Sequence, residues 1–195
     1  MTLANPQGKG SLPVLQHLQS VAPAVCTAKS PQQVLDDYFV GALILSADFH
    51  FKPSVNGTYY LYYDQSRWSL SLVGPQEWGR SNKLRAYVGR CTLRPDMTWQ
   101  CETTSDVAGK AEPSLALAAF LDSFRQHLES HDTLEDGLPF YVAQLPFYRR
   151  LLATGLAASL RTSRQLQAAL PGEQALAAAY PRIAIQPGTF NGATL

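Results

Sequence analysis

The hydrophobic positions that follow residue 30 recur at the spacing of a helix. Ser30, Pro31 and Gln33 form a helix start, because the serine hydroxyl and the glutamine side chain can cap backbone groups and proline fits the first turn. The apolar residues behind this start would cover one wide face of a helix over residues 31–46. They are Val34, Leu35, Tyr38, Phe39, Ala42, Leu43 and Leu45.

From Tyr59 the hydrophobic period changes to two, which indicates β-strands. A short polar break in residues 64–66 predicts one hairpin, and a three-residue turn at 95–97 predicts a second hairpin in which Cys91 lies opposite Cys101. We therefore expect a four-stranded antiparallel sheet with one buried face. That face would carry Tyr59, Leu61, Tyr63, Trp68, Leu70, Leu72, Tyr87, Gly89, Cys91, Leu93, Trp99 and Cys101.

Helical spacing returns after a polar linker at residues 105–112. Pro113 suits a first turn, and the apolar positions behind it predict a helix to about residue 130. The order Leu-Pro-Phe-Tyr then occurs twice, at 138–141 and 145–148. Pro146 must kink a helix or restart one, and the pattern continues from Phe147 to about residue 169.

These elements predict an α+β fold, with two hairpins forming the sheet and helices before and after it. At 195 residues the chain has the length of one ordinary domain. The predicted organisation is a disordered tail at 1–10, a single domain over 11–180 and an extended tail at 181–195. Within that domain the sheet would span about 59–103 and the helical C-terminal part about 113–180.

Charge and composition narrow the classes of partner. Charged residues make up 16% of the chain, against about 25% in typical domains, so we expect part of the surface to be covered by a protein partner or in a homo-oligomer. The net charge of +1 gives no global attraction to nucleic acid or membranes. The sequence shows no transmembrane run and no signal peptide, and its three cysteines do not suggest a disulfide framework. We expect a cytoplasmic protein.

Two groups of residues are candidates for binding. A tryptophan in a loop after a strand, such as Trp78, can close over a core edge while Glu77 bonds backbone amides, and it can also anchor a partner. The repeated Leu-Pro-Phe-Tyr segments place Tyr141 and Tyr148 near one helical face. The leading hypothesis is therefore a non-catalytic protein-interaction or scaffolding module that uses Glu77, Trp78, Tyr141 and Tyr148.

The alternative hypothesis is a single-stranded nucleic-acid-binding protein. Between residues 67 and 94 the sequence has six basic residues and one acidic residue. Tyrosine and arginine interleaved on an open sheet can stack bases and bind phosphates, although no RNA-binding consensus occurs. The residues on that outer face would be Tyr60, Tyr62, Arg67, Arg90 and Arg94.

The remaining candidates for chemistry are weaker. His127 and His131 share one helical face, but a structural metal site needs four ligands and the sequence offers no further cysteine or histidine nearby. Asp48 and His50 alternate with two phenylalanines, and they are the one acid–base pair that a small-molecule site or enzyme would use. We therefore predict no catalytic residues, no metal and no cofactor, and an enzyme remains a distant alternative.

One stretch of the sequence resembles a known family. The resemblance spans about 50 residues, from Lys52 to Trp99, and its most specific part is the Pro-x-Glu-Trp-Gly segment around Trp78. The matching positions are Lys52, Pro53, Tyr60, Leu61, Tyr62, Leu70, Ser71, Leu72, Pro75, Glu77, Trp78, Gly79, Gly89, Leu93, Asp96, Thr98 and Trp99. The family is an uncharacterised domain of unknown function with bacterial members and a human member. It implies no activity and no catalytic residues, and it supports the two-hairpin sheet.

Overall fold

The fold is α+β, as the sequence predicts. The computed structural model describes residue 23 and residues 25–64, 66–77, 85–104, 111–131 and 145–168. Within these residues the chain forms three helices and a four-stranded antiparallel sheet. Their order is α1 (Pro31–Ser46), β1 (Thr58–Asp64), β2 (Arg67–Ser71), β3 (Ala86–Leu93), β4 (Trp99–Thr103), α2 (Ala111–Glu129) and α3 (Phe147–Ala168).

The sheet has the strand order β2-β1-β3-β4, so the two predicted hairpins join through β1 and β3. In the second hairpin Cys91 pairs with Cys101 and Leu93 pairs with Trp99, which confirms the predicted register. The backbone of Asp48 forms two hydrogen bonds with the outer edge of β2, which pairs the middle of that edge strand.

A β-bulge in β3 changes which side chains face the core. Leu61 pairs with Gly89, but Tyr62 pairs with Tyr87, so Val88 is an extra residue in β3. Val88 is buried in the core, whereas Tyr87 lies beside Tyr62 with ring centroids 5.6 Å apart. The prediction that Tyr87 shares the buried face is wrong, because a shift of one residue exchanges the two faces of a strand.

Helix α1 has the predicted bounds and contacts most of the other elements. Ser30 accepts a hydrogen bond from the Gln33 amide, and the Gln33 side chain accepts one from the Ser30 amide, which completes the predicted capping box. Helix α1 packs against β2, β4, α2 and α3. Gly41 lies directly against Leu156 of α3, so the absence of a side chain lets the two helices approach closely.

The two later helices also lie close to their predicted positions. Helix α2 starts two residues before Pro113, and α3 starts immediately after Pro146, so this proline stands at the start of a helix rather than inside one. No helix within the described ranges combines the length and the apolar character that crossing a bilayer requires. The predicted tails at 1–10 and 181–195 lie outside the described residues.

Candidate binding cleft

An apolar cleft of about 360 Å³ lies between the segment before β1, the β3–β4 turn and the start of α3. This volume is at the small end of the range of ligand pockets, which is roughly 300–1,000 Å³. Its lining residues are Lys52, Pro53, Ser54, Val55, Leu93, Met97, Tyr148, Leu151 and Leu152.

Hydrogen bonds fix the first wall, residues 52–55. The Ser54 amide donates to the Tyr59 hydroxyl at 2.7 Å, and the Gly57 amide donates to the Ser54 carbonyl at 3.0 Å. Asn56 has φ 62°, the left-handed conformation of a tight turn, and its amide donates to the Leu93 carbonyl at 2.7 Å. These bonds hold the first wall against β1 and β3.

The second wall, the first turns of α3, is held by Arg149. Its Nη2 atom donates to Asp48 Oδ1 at 2.9 Å, and its guanidinium carbon lies 5.3 Å from the centre of the Phe49 ring. Both contacts are to the segment between α1 and β1, which also continues into the first wall. The same segment of chain therefore positions both walls of the cleft.

The cleft has a buried floor and an exposed apolar rim. Leu93 and Met97 form the floor and are 1% and 5% exposed. At the rim Val55 and Tyr148 keep 43% and 39% of their surface exposed. Among the described residues of the lining, Lys52 is the one that carries a charge. Large apolar groups at an open rim favour contact with an apolar group on a partner.

Of the four residues predicted for protein binding, the structure places Tyr148 at this cleft. Glu77 is exposed, and its Oε1 atom accepts a hydrogen bond from the Gly74 amide at 3.0 Å, as predicted for the loop. Trp78 and Tyr141 lie outside the described residues. Glu77 does not line the cleft.

The loop after β2 covers part of the outer sheet face. The Tyr62 hydroxyl donates to the Val73 carbonyl at 3.0 Å, and Tyr62 is 1% exposed. Gly74 lies against the ring of Tyr60, which is half-buried. Strand β2 ends before Leu72, and this side chain is exposed rather than on the buried face. Tyr62 is therefore not available to stack on a base in this conformation.

Most of the described cations predicted for nucleic-acid binding have carboxylate partners. Arg90 pairs with Glu102 at 2.6 Å across the hairpin, and Arg94 pairs with Asp37 of α1. Arg67 is exposed and forms no ion pair with another residue of the described ranges. The predicted basic excess between residues 67 and 94 is thus offset by acids elsewhere in the sequence.

A network of two cations and two carboxylates, with Lys29 and Asp37 buried at its centre, links the segment before α1, α1 itself and the β3–β4 turn. Lys29 Nζ lies 2.6 Å from Asp37 Oδ2 and 2.5 Å from Asp96 Oδ2, and Arg94 also pairs with Asp37. Thr98 donates through its amide and its hydroxyl to Asp96. Burial would raise the pKa of Asp96, but the hydrogen bonds from Lys29 and Thr98 outweigh it and lower the pKa.

The two predicted histidine candidates serve other contacts. The rings of His127 and His131 lie 4.6 Å apart, and His127 Nε2 is 3.2 Å from the Tyr38 hydroxyl of α1. Within the described ranges no three histidine, cysteine or acidic residues come together as metal ligands. His50 Nε2 is 3.7 Å from Asp48 Oδ2, and both side chains are exposed. That distance is beyond a hydrogen bond.

The facing cysteines are free thiols in the core. Cys91 is 0% exposed and Cys101 is 4% exposed. Burial, together with the hydrogen bond between the two thiols, raises the pKa of Cys91 well above its usual value. A thiol in this environment is a small core group rather than an activated nucleophile.

The sequence pattern does not reveal the cleft, although several of the lining residues belong to predicted features. Lys52, Pro53 and Leu93 appear among the positions of the family resemblance, and Met97 appears in the predicted turn. The turn between β3 and β4 and the start of α3 are about 50 residues apart in the chain. Periodicity describes one element at a time, so it does not show that these elements share a cavity.

Comparison of the chain with protein families, curated proteins and solved structures gives no match. The resemblance of residues 52–99 to an uncharacterised family therefore stays a prediction.

Proposed function

We propose that this protein is a non-catalytic protein-interaction module that contacts its partner through the cleft beside Tyr148. The observation that carries the proposal is the exposed apolar rim formed by Val55 and Tyr148 over a cleft of about 360 Å³. An aromatic side chain at the edge of a preformed apolar depression is a frequent anchor of protein interfaces. The low fraction of charged residues agrees with a surface that meets a partner.

The test is native mass spectrometry of the full chain, purified gently from its own cells, as wild type and as two variants. Tyr148→Ala removes the exposed ring at the cleft. Leu115→Ala is the matched control, because Leu115 is an apolar side chain 69% exposed on α2 and does not line the cleft. We expect Tyr148→Ala to lose a complex that wild type and Leu115→Ala both retain.

The size of the effect follows from interface energetics. Truncation of a central aromatic anchor costs about 2 kcal/mol or more of binding free energy, whereas truncation of a peripheral contact costs little. Complexes that are identical in all three proteins would contradict the proposal. Circular dichroism of each variant verifies that the fold is retained, since neither side chain is buried.

Single-stranded nucleic-acid binding is the second candidate, and the same preparations test it. The observation that favours it is that exposed Arg67 and the half-buried ring of Tyr60 lie on one face of the β1–β2 hairpin, where Arg67 pairs with Asp64 and Tyr60 pairs with Ser71 in the strand register. Co-purifying nucleic acid raises the ratio of absorbance at 260 nm to that at 280 nm. If Arg67→Ala removed that excess and binding weakened with salt, the nucleic-acid function would replace the interaction module.

A further inference from the structure

The charge of the cleft identifies the chemistry of its partner. Lys52 is exposed at the rim, and the other lining residues that the structure describes are uncharged. Within the described ranges no carboxylate pairs with Lys52. A cation beside an apolar surface is complementary to a ligand that carries an anionic group next to an apolar one.

We infer that the cleft binds a peptide segment of a partner protein in which a large apolar side chain stands next to a carboxylate. The apolar side chain lies between Val55 and Tyr148 above Leu93 and Met97, and the carboxylate pairs with Lys52. This inference rests on the proposed interaction function and specifies the partner that it takes.

The shape of the cleft favours a side chain of a peptide over a whole small molecule. Pockets for small ligands bury about 70–90% of the ligand surface. Here the two apolar residues of the rim, Val55 and Tyr148, remain more than a third exposed. An open rim accepts one side chain while the chain that carries it continues across the surface, with its next residue within reach of Lys52.

The cleft is also formed before the partner arrives. The hydrogen bonds of Ser54 and Asn56 fix one wall, and the contact of Arg149 with Asp48 fixes the other. Binding to fixed walls avoids the entropic cost of ordering them. Met97 on the floor has an unbranched, polarizable side chain, which adapts to apolar groups of different shape. The fixed walls and the adaptable floor suit an apolar anchor of variable identity.

A displayed library of random peptides tests this inference directly. Peptides are selected on the wild-type chain and counter-selected on Tyr148→Ala, so that the survivors depend on the cleft. We expect the survivors to carry a large apolar residue within about two positions of Asp or Glu, because neighbouring residues in a chain are about 3.8 Å apart.

The charge of Lys52 is then reversed to measure how much it contributes to peptide affinity. Lys52→Glu weakens a selected acidic peptide by about fivefold or more, the effect of losing an exposed pair and adding repulsion. A peptide with Lys in place of the acid regains affinity for Lys52→Glu. Arg67→Glu is the matched control, because it makes the same charge change at an exposed position on β2 and leaves peptide affinity unchanged.

Each contrary outcome overturns a defined part of the argument. Peptides that need Tyr148 but bind equally to Lys52→Glu overturn the acidic partner and leave the proposed interaction function standing. A library without any Tyr148-dependent peptide overturns both. The peptide assignment also fails if a medium-chain fatty acid binds in its place with the same dependence on Tyr148. It fails equally if native mass spectrometry shows that Tyr148 holds a dimer of this chain.

Discussion

Lys29 is a charged residue in a buried position, and the two carboxylates that it contacts explain why it is tolerated there. Its side chain is 9% exposed and bonds to Asp37 on α1 and to Asp96 in the β3–β4 turn. Moving a charge out of water is expensive, so such a group is tolerated only where opposite charges and hydrogen bonds surround it. The Lys29 ammonium thereby fixes the start of α1 against the turn that also carries Met97 of the cleft.

Removal of Lys29 is expected to be strongly destabilising. Lys29→Met leaves the carboxylates of Asp37 and Asp96 without their shared cation, and breaking a buried ion pair costs about 3–5 kcal/mol. The measurement is the free energy of unfolding in urea. Arg90→Met is the control, because the Arg90–Glu102 pair is exposed and its loss should leave the unfolding midpoint unchanged. Equal midpoints for both variants would contradict a structural role for the buried network.

The same network predicts a loss of stability in acid. The pKa of Asp96 in the folded protein is below the ordinary value of 3.8. Its stabilising contribution is therefore complete above pH 3.8 and is lost as the pH falls toward the folded pKa, because the unfolded chain takes up the proton first. Burial raises the pKa of Asp36 above 3.8. Ionisation of Asp36 therefore lowers the free energy of unfolding as the pH rises above 3.8, which is the opposite dependence to that of Asp96.

Urea unfolding at a series of pH values on both sides of 3.8 separates the two effects. Asp96→Asn should weaken the change of unfolding free energy with pH below pH 3.8. Asp36→Asn should weaken the same change above that pH. If Asp96→Asn retained the wild-type slope below pH 3.8, the network would not be the source of the acid sensitivity.

At the level of single elements, the close approach of β3 to β4 beside the bulge depends on Gly89. A Cβ atom added there would lie 2.5 Å from the Glu102 carbonyl oxygen and 3.0 Å from the Thr103 Cα. Backbone atoms of β4 cannot move aside as a flexible side chain can. Gly89 therefore lets β3 and β4 approach closely next to the extra residue, Val88.

Gly89→Ala is expected to destabilise the protein by about 1–3 kcal/mol through this overlap. The direction of the stability change is informative, because alanine in place of glycine in an unstrained strand would increase stability. Thermal unfolding measures this loss of stability. Arg90→Ala is the control, since Arg90 is the next residue of the same strand and is exposed. A variant as stable as wild type would show that the two strands can separate locally without cost.

The predicted elements that proved correct are those encoded by neighbouring residues. The bounds of α1 follow from Ser30, Pro31 and Gln33, and the register of β3 and β4 follows from the length of the turn between them. The bulge at Val88 leaves no comparable pattern in the sequence, because it depends on how β1 pairs with β3. One extra residue exchanged the environments of Val88 and Tyr87.

The candidate site could be predicted only in part for the same reason. The repeated Leu-Pro-Phe-Tyr segment predicts Tyr148 as a binding residue, and the structure places it at the cleft. The pairing of Arg94 with Asp37 joins residues 57 positions apart. A local count of charges therefore overestimated the basic character of the sheet. Contacts between distant elements decided both the position of the cleft and the charges that remain available around it.

For the whole molecule, the important feature is that the described elements share one hydrophobic core. The core cluster includes residues of every described helix and strand. Helix α1 contacts the sheet on one side and both later helices on others. Because α1 loses packing if either the sheet or the two later helices separate from it, the sheet and the helices should unfold together.

This arrangement gives a test of the predicted single domain over residues 11–180. Leu156 of α3 is 1% exposed and packs against Gly41 of α1. Leu156→Ala should therefore lower stability by about 2–5 kcal/mol through lost burial and a cavity. Far-UV circular dichroism follows the helices, while fluorescence follows the tryptophans, among them buried Trp99 in the sheet.

In a single cooperative unit the two signals shift together, in the variant as in the wild type. Tyr148→Ala is the control, because its side chain lies on the same helix but is 39% exposed, so it should leave both transitions near their wild-type positions. A loss of helix at lower urea than the change in tryptophan fluorescence would mean that α3 unfolds separately. The second wall of the cleft would then be formed by an element that separates from the sheet at modest cost, and preorganisation could not contribute to partner affinity.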